Sequence, residues 1–509
     1  MTAETERALT GHLAEDVEAV VRELGDSCDL VVRELTGKEE GEPEAAVVYM
    51  KTMVDEETVM RSILDPLMDE LDRLGMEEPG DAFRRVHKDI LRIGTVNERT
   101  KLNEVLCSIL DGDTVVLIAG KAGALAASTI GGESRAVEEP TSQTVTRGPK
   151  ESFTENLQTN VSLVRRRIRS PLLRVEAFKL GRHTQTNACM IYMQNIAQPK
   201  VVQEFRQRLG KIDVDSILDS GYVEELIQDA TWTSFPTLQN TERPDAACGA
   251  VMEGKVLLIV DGTPFALLAP VTFISFFQSS EDYYQRYDIS TFLRILRFCA
   301  FFISMFLPSL YIAITTFHQE MLPTPLLISL AAQREGVPFP AILEALLMEI
   351  TFEVLREAGV RMPRVIGPAI SIVGALVLGQ AAVQAGLVSA AMIIVVSFTA
   401  ISNFVIPALN MAIAARLLRF GMMILGGTLG LFGIMSGMMI LLIHLVSLRS
   451  FGISYMTPFS PIVWPNLKDT LVRVPWWLMK KRPALISNPR QAVRNASGQR
   501  PSPRRKKRP

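Results

Sequence analysis

The spacing of apolar residues changes in character near residue 289. Before that point, apolar residues form short β-branched runs beside glycine turns, or recur at helical spacing, as Val59, Ile63, Leu67 and Leu71 do. After that point, long stretches of the chain carry no charged residue. The pattern therefore predicts a water-soluble α/β part followed by a polytopic transmembrane helix bundle.

The soluble part contains an internal repeat. The stretch AAVVYMKTMVDEETV, which begins at Ala45, resembles ACMIYMQNIAQPKVV, which begins at Ala188. Further on, GDTVVLIAG from Gly112 resembles GKVLLIVDG from Gly254, at almost the same offset along the chain. Two matches at nearly one offset predict two duplicated α/β subdomains of similar build.

These patterns predict an order of segments along the chain. The segments are an N-terminal extension (1–24), subdomain 1 (25–130), an inter-subdomain segment (131–160), subdomain 2 (161–278), a juxtamembrane junction (279–291), the transmembrane bundle (292–448), a post-membrane segment (449–482) and a basic disordered tail (483–509). On composition alone, residues 131–160 are polar and rich in turn formers, which is typical of a linker.

Four stretches of the second part are uncharged and long enough to cross a bilayer. They are residues 298–317, 366–388, 389–406 and 420–448. Twenty helical residues cover about 30 Å, the thickness of the hydrocarbon core. Residues 319–358 are ambiguous, because they could form a re-entrant pair, an interfacial helix, or one or two further spans. We therefore expect four spans and at most six.

Charge is distributed unevenly along the chain. Residues 1–288 carry 48 of the 55 acidic and 31 of the 53 basic residues, whereas residues 480–509 carry eleven Lys or Arg and no acid. The positive-inside rule places this tail in the cytoplasm, where we expect it to bind anionic lipid rather than nucleic acid. The N-terminus lacks the pattern of a signal peptide, so the soluble part is also expected in the cytoplasm.

The sequence carries few signs of chemistry. The five cysteines are widely scattered, without a CxxC pair, and are interpreted as reduced thiols. The soluble part contains no P-loop, GxGxxG, GxSxG or HExxH motif. We therefore expect no catalytic residues, no metal and no cofactor.

Polar residues at membrane depth are the better functional signal. The candidates for an ion path are Glu344, Glu349, Glu353, Gln380, Gln384 and Asn403. One interpretation is structural, with these groups bonding between helices or forming an interfacial polar face. The other is that symmetry-related copies of the chain build an acid-lined cation path.

Glycines and the junction supply two further sets of candidates. The candidate helix-packing glycines are Gly374, Gly379, Gly386, Gly426, Gly430, Gly433 and Gly437, which would let neighbouring backbones approach closely. The candidate coupling junction consists of Glu281, Asp282, Tyr283, Tyr284 and Arg286. Ion pairs there would fix the soluble part against the bundle; the alternative is an ordinary charged and aromatic interface belt.

Long strings in the chain resemble a known family. They include EEPTSQTVTRGPKESFTENLQTN (138–160), TERPDAACGAVMEGKVLLIVDGTPFALL (241–268), SSEDYYQRYDISTFLRILRF (279–298) and LLISLAAQREGVPFPAILEALLMEITFEVLREAGVRMP (326–363). Together with the intervening sequence, residues 25–482 resemble the A subunit of bacterial spore germinant receptors, the GerA family. A SpoVAF-type paralogue, which amplifies germination, is the alternative within this family.

The resemblance implies a function and partners. It implies a protein of the spore inner membrane that acts with a transporter-like B subunit and a lipoprotein C subunit. It also implies a homo-oligomer that conducts ions when nutrients are sensed, and it implies that residues 134–160 pack between the subdomains. A secondary transporter and a membrane-tethered scaffold are the alternatives from other functional classes.

Overall fold

The computed structural model describes residues 6–37, 43–74, 78–131, 139–140, 143–362, 377–491 and 493–494, except for the side chains of Asp72, Leu74 and Gln491. The chain forms two compact units. The first unit consists of Met1–Gln228, Leu238–Val271 and Lys480–Pro509, and the second of Asp229–Thr237 and Thr272–Met479.

The first unit contains two five-stranded antiparallel sheets of the same topology. The strands of the first sheet are β1 (Leu30–Leu35), β2 (Ala45–Met50), β3 (Val96–Arg99), β4 (Asp113–Ile118) and β5 (Ala124–Ser128), in the order β1-β2-β4-β5-β3. Those of the second sheet are β6 (Leu173–Leu180), β7 (Thr186–Met193), β8 (Gln239–Thr241), β9 (Val256–Val260) and β10 (Ala266–Ala269), in the order β6-β7-β9-β10-β8. The repeated strings lie on corresponding strands, so the predicted duplication is confirmed.

Helices pack against both sheets. They are α1 (Leu13–Leu24), α2 (Glu56–Val59), α3 (Asp65–Leu74), α4 (Pro79–Arg85), α5 (Leu102–Asp111), α6 (Leu157–Arg167), α7 (Pro199–Gly210), α8 (Ser220–Ile227) and α9 (Pro244–Met252). A π-helical turn at Met60–Leu64 joins α2 to α3, and a second one at Val86–Ile90 follows α4. The predicted apolar stripe on α2 and α3 is confirmed, since its four residues are buried in one core.

The N-terminal residues belong to the first subdomain rather than to a separate extension. Leu13, Val17, Val20 and Leu24 recur along one face of α1 and are buried against the first sheet. The expected boundary at residue 25 is therefore wrong for the described residues 6–24. Their apolar spacing is that of a helix that covers a sheet.

Residues 143–157 pack along the second subdomain. The amide of Gln143 donates to Glu242 Oε1 at 2.9 Å, the amide of Phe153 donates to the Glu242 carbonyl at 2.7 Å, and the amide of Leu157 donates to Asp261 Oδ1 at 3.1 Å. Phe153 is part of the buried core. The composition-based interpretation as a linker is therefore wrong for this stretch, because polar composition here serves specific hydrogen bonds.

The first part of the C-terminal tail also docks on the second subdomain. The amide of Asn488 donates to the Ile196 carbonyl at 2.8 Å, and Arg494 pairs with Glu253 at 2.6 Å. The expectation of disorder from residue 483 is therefore wrong for 483–491 and 493–494. Residues 495–509 lie outside the described part of the chain.

A buried ion pair joins the two subdomains. Arg165 of α6 donates from Nε and Nη2 to the two oxygens of Asp29, each at 2.9 Å, and its Nη1 donates to the Leu173 carbonyl at 3.0 Å. The two side chains are 1% and 4% exposed. A bidentate pair of this kind fixes orientation as well as distance, so it holds the subdomains in register.

The second unit consists mainly of helices. They are α10 (Tyr287–Phe317), α11 (Thr324–Arg334), α12 (Ala341–Arg361), α13 (described residues 377–384), α14 (Ala390–Phe404) and α15 (Leu409–Ser447). Short 3-10 turns occur at Phe273–Phe277, Ser280–Tyr283, Gln319–Met321, Trp464–Lys468 and Trp476–Leu478, and strands β11 (Arg449–Ser450) and β12 (Ile453–Ser454) form a small hairpin.

Two described helices, α10 and α15, are long and apolar enough to cross a membrane. The helix α10 contains the expected span 298–317, and α15 contains nearly all of the expected span 420–448. The expected span 389–406 forms α14, an apolar helix of 15 residues. Of the expected span 366–388, residues 366–376 lie outside the described residues. Two apolar helices of this length indicate a membrane protein.

The helix α15 reverses direction at Gly430. This residue has φ 66° and ψ −145°, which is not helical. A Cβ atom on Gly433 would lie 2.2 Å from the Leu425 carbonyl oxygen, and one on Gly437 would lie 2.8 Å from Met422 Sδ. A continuous helix would hold such residues 12 Å or more apart at about 1.5 Å per residue. The chain therefore folds into two antiparallel arms, residues 409–429 and 431–447.

We predict that Asp29→Ala lowers the free energy of unfolding by about 3–5 kcal/mol, because it leaves the Arg165 charge buried without its partner. The measurement is the unfolding midpoint of the full chain in detergent. The control is Asp81→Ala, since Asp81 pairs with Arg84 on the surface with both side chains more than 70% exposed. An equal effect of both variants would contradict the structural role of the buried pair.

We predict that Gly430→Ala destabilises the hairpin by at least about 1–3 kcal/mol, because its backbone conformation is accessible essentially to glycine alone. The added Cβ would also lie 2.8 Å from His318 Cε1. Gly421→Ala in the same helix is the matched control, since nothing lies within 4 Å of its Cβ position. The measurement is the thermal unfolding midpoint of each variant in detergent. A Gly430→Ala protein as stable as the Gly421→Ala protein would contradict the turn at Gly430.

Candidate functional site

The junction before α10 contains a buried carboxylate. Ser279 and Asp282 form a capping box at the 3-10 turn, and this places the Asp282 side chain beneath the first turns of α10. Asp282 Oδ2 accepts from Arg294 Nε at 2.9 Å, and its Oδ1 accepts from Arg297 Nη1 at 2.7 Å. The Asp282 side chain is 1% exposed. One aspartate thus neutralises part of two buried guanidinium charges.

A second aspartate completes this cluster. Asp469, which follows the 3-10 turn Trp464–Lys468, accepts from Arg294 Nη1 at 2.7 Å and from the Tyr283 hydroxyl at 2.8 Å. The Arg294 guanidinium also lies 5.4 Å from the centre of the Tyr283 ring. We call Asp282, Arg294, Arg297 and Asp469 the junction cluster. It ties the post-membrane segment to the start of the first long apolar helix.

The other junction candidates lie outside this cluster. Arg286 is exposed and pairs with Asp288 at 3.0 Å rather than with a buried acid. Glu281 accepts from the Gln285 side chain at 2.5 Å, and Tyr284 is partly buried. The structure therefore brings together Asp282 and Tyr283 but leaves Arg286 in a surface pair.

A second charge cluster lies inside the helix bundle. Arg419 of α15 pairs with Glu349 of α12 at 3.1 Å and with Glu353 at 3.4 Å, and the side chains of Arg419 and Glu349 are 1% and 2% exposed. Glu353 also pairs with Arg416 at 2.9 Å and with Arg356 at 3.1 Å. Since Glu349 and Glu353 are one helical turn apart, one face of α12 meets both arginines of α15. We call these five residues the bundle cluster.

Glu344 lies one and a half helical turns before Glu349 and has a different environment. Its Oε1 accepts from the Ser389 amide at 2.6 Å and from the Ser389 hydroxyl. The residue is fully buried, and its Oε2 has no hydrogen-bond partner among the described residues. The carboxyl group therefore caps the start of α14 through one of its two oxygens.

The predicted polar amides fall into two places. Gln380 and Gln384 of α13 are exposed and line an open, mostly apolar groove of about 1060 Å³ between α12, α13 and α14, into which Arg356 also faces. Asn403 is buried on α14, and its Oδ1 lacks a hydrogen-bond partner within the described part of the chain. The structure therefore does not gather the acids and all three amides into one site within a single copy.

The predicted glycines lie at close contacts of several kinds. A Cβ on Gly426 would lie 2.8 Å from the Ser309 carbonyl oxygen of α10, whereas one on Gly379 would make ordinary contact with Ile393 at 3.8 Å. Gly386 lies beside the Gly336 carbonyl oxygen. Gly426, Gly430, Gly433 and Gly437 all lie in the expected span 420–448, and the expectation of one span there is wrong, because Gly430 is the turn. Gly374 lies outside the described residues.

The basic partners were missing from the sequence-based set of candidates. They are Arg294, Arg297, Arg416 and Arg419, with Asp469 as an additional acid. The sequence does contain a signal for them. Arg294 and Arg297, and likewise Arg416 and Arg419, are three residues apart at the edge of a long apolar stretch. Such arginines need buried acids as partners.

We predict that Asp282→Ala lowers the free energy of unfolding by about 3–5 kcal/mol, because Arg297 loses its carboxylate and Arg294 keeps only Asp469. Asp288→Ala is the matched control, since the Asp288 pair with Arg286 is exposed. Thermal unfolding of the full chain in detergent measures the difference. Equal midpoints for the two variants would contradict a structural role of the junction cluster.

Comparison with known proteins places the chain in a family. Residues 18–485 match the family described as Bacillus/Clostridium GerA spore germination protein. The chain is 48% identical to spore germination protein KA of Bacillus subtilis (strain 168), over 96% of this chain and 89% of that protein. It is 36% identical to spore germination protein GerLA of Bacillus cereus, over 96% of this chain and 98% of the relative.

One solved structure is also similar. It is the N-terminal domain of the A subunit of the Bacillus megaterium spore germinant receptor GerK3, which is 36% identical, covers 53% of this chain and 98% of that domain, and gives a TM-score of 0.42. The family match spans nearly the whole chain, and the relatives share more than a third of its residues. The chain therefore belongs to the GerA family of spore germination proteins.

Proposed function

We propose that the chain is the A subunit of a spore nutrient-germinant receptor and forms an oligomer that releases ions when nutrients are sensed. The family and the names of the relatives support this role, and those names refer to germination rather than to a reaction, which fits a protein without catalytic activity. A transporter-like B subunit and a lipoprotein C subunit are the proposed partners. The proposed location is the spore inner membrane, with the soluble part and the C-terminal tail on the cytoplasmic side.

The observation that carries the proposal is the bundle cluster. Two acids and three arginines lie between apolar helices, where an unpaired charge is costly. Arg419 bridges Glu349 and Glu353, so a small movement of α15 against α12 would release carboxylates. A charge network with two arrangements of similar free energy is suited to gating, because it can be biased by a signal. The freed acids of several copies would then line a cation path together with Glu344.

Helix directions support six membrane crossings. Gly426 of the first arm lies beside Ser309 of α10, and Gly430, which ends that arm, lies beside Phe317, so these two helices run in the same direction. The contact of Gly427 with Ile342 and the pair of Arg416 with Glu353 make α12 antiparallel to that arm.

The direction of α14 follows from two of its contacts with α12. Ser389, at the start of α14, bonds to Glu344, and Phe404, at its end, lies under the Arg356 guanidinium. Since α12 and α14 therefore run the same way, we propose one return crossing between them. Six crossings, counting both arms of α15, leave the soluble part and the tail on one side.

The junction cluster is the proposed coupling element within the second unit. It links the start of α10 to the post-membrane segment through buried charges rather than through flexible chain. An Asp282→Ala protein that is made at normal levels and still triggers germination would contradict this coupling.

We predict that Glu349→Gln combined with Glu353→Gln abolishes or strongly changes cation flux, because the path would lose its carboxylates. The measurement is potassium flux from liposomes that contain the purified full-length chain, or the receptor complex if the chain alone conducts nothing. Glu357→Gln is the matched control, since Glu357 lies on the same helix but forms an exposed pair with Arg361.

A further variant separates conduction from folding. Exchanging the charges in Glu349→Arg with Arg419→Glu keeps a buried pair, and Arg416 and Arg356 still neutralise Glu353. The exchange should therefore restore the stability that either single charge reversal removes, but it moves the acid from α12 to α15. Restored stability with altered ion selectivity supports the path. Unchanged flux and selectivity in the double glutamine variant, with folded protein, would show that the acids do not line the path.

A further inference from the structure

All four tryptophans of the chain lie in the second unit, within residues 229–237 and 455–479. They are Trp232, Trp464, Trp476 and Trp477. Trp232 is 97% exposed, Trp464 is 75% exposed and Trp476 is 47% exposed. Indole side chains are mostly buried in soluble proteins. Such exposure therefore points to a surface that is covered by something else.

Trp232 lies beside the end of the last apolar helix. The hydroxyl of the next residue, Thr233, lies 2.8 Å from Nε2 of His444, which is in the last turn of α15. The ring of Phe235 lies 6.2 Å from that of His444. These contacts hold Trp232 at the level where α15 leaves the apolar layer.

Trp464 and Trp476 are held at the start of α10, Trp464 next to Asp469 of the junction cluster and Trp476 by Tyr283. Trp464 begins the 3-10 turn that precedes Asp469, the partner of Arg294. The Trp476 ring packs 5.6 Å from the ring of Tyr283, and its Nε1 donates to the Tyr283 carbonyl at 3.4 Å. All three tryptophans are therefore fixed near helix ends that lie on the same side of the bundle.

The surroundings of these indoles are both apolar and basic. Ile462 is 63% exposed and Val472 is 51% exposed. The exposed basic side chain is that of Lys468, at the end of the 3-10 turn that Trp464 begins. Arg473 lies 5.7 Å from the Trp476 ring and 5.8 Å from the Tyr283 ring but is itself buried beneath them. Between residues 449 and 479, Asp469 is the only acidic residue, and it is engaged by Arg294. A surface of this composition is complementary to anionic lipid headgroups above a hydrocarbon layer.

We propose that Trp232, Trp464 and Trp476, the tryptophan collar, bind at the boundary between headgroups and hydrocarbon in the leaflet where α10 begins. The occupant is lipid rather than a protein partner because the collar is continuous with the ends of the apolar helices. An indole at this boundary keeps its N–H in the hydrated headgroup region and its ring in the hydrocarbon core. The collar thus fixes the depth of the junction cluster in the membrane.

The test uses the intrinsic fluorescence of the full-length chain in nanodiscs of phosphatidylcholine and phosphatidylglycerol. Because no tryptophan lies elsewhere in the chain, the emission reports only on this region. We expect lipid brominated near the headgroup to quench emission roughly twofold more than lipid brominated near the chain terminus. Trp232→Phe, Trp464→Phe and Trp476→Phe, tested singly, should each remove part of the quenchable signal.

Two outcomes would overturn the proposal. Strong quenching by acrylamide together with no effect of either brominated lipid would place the indoles in water. Resistance to acrylamide and to both brominated lipids would mean that protein, such as a second copy of the chain, covers the collar. Partly buried Trp477 is the internal reference, since a variant that retains only Trp477 should respond least to brominated lipid.

Discussion

The cost of removing charge from water determines how the second unit is built. A guanidinium or carboxylate that leaves water without a partner costs several kcal/mol, so each buried charge near the apolar helices must be neutralised within the fold. The junction cluster does this with two aspartates around two arginines. The bundle cluster does it with two glutamates among three arginines. Both clusters use one residue to serve two partners, and for that reason neither can be changed at one position without disturbing the rest.

A buried ion pair also joins the two α/β subdomains of the first unit, which share one fold. Each subdomain has its own apolar core, and these cores alone would leave the relative orientation of the sheets poorly defined. The bidentate pair of Arg165 with Asp29 supplies the directional contact. The equal strand order of the two sheets indicates that the unit arose by duplication of one subdomain. Residues 143–157 and the described start of the tail then pack on the second copy.

The sequence was informative where a local pattern decides the structure. The stripe on α2 and α3, the repeated strands and the long uncharged stretches follow from the spacing of apolar residues, which needs no knowledge of distant contacts. The partners of Asp282 could not be assigned in this way. Arg286 is nearer in sequence, but the helix that begins at Tyr287 turns Arg294 and Arg297 toward the carboxylate and leaves Arg286 outside. Gly430 was placed on a helix face because spacing alone does not distinguish a packing glycine from a turn.

The reversal at Gly430 has a consequence for how the chain reaches its membrane. No charged residue lies between Arg419 and His444, and the two arms are joined without a polar loop. With both arms in the membrane, as proposed above, biogenesis of this pair requires no hydrophilic segment to be translocated through the hydrocarbon layer. The two arms can leave the insertion machinery as a preformed unit, closed by its own glycines before the other helices assemble around it.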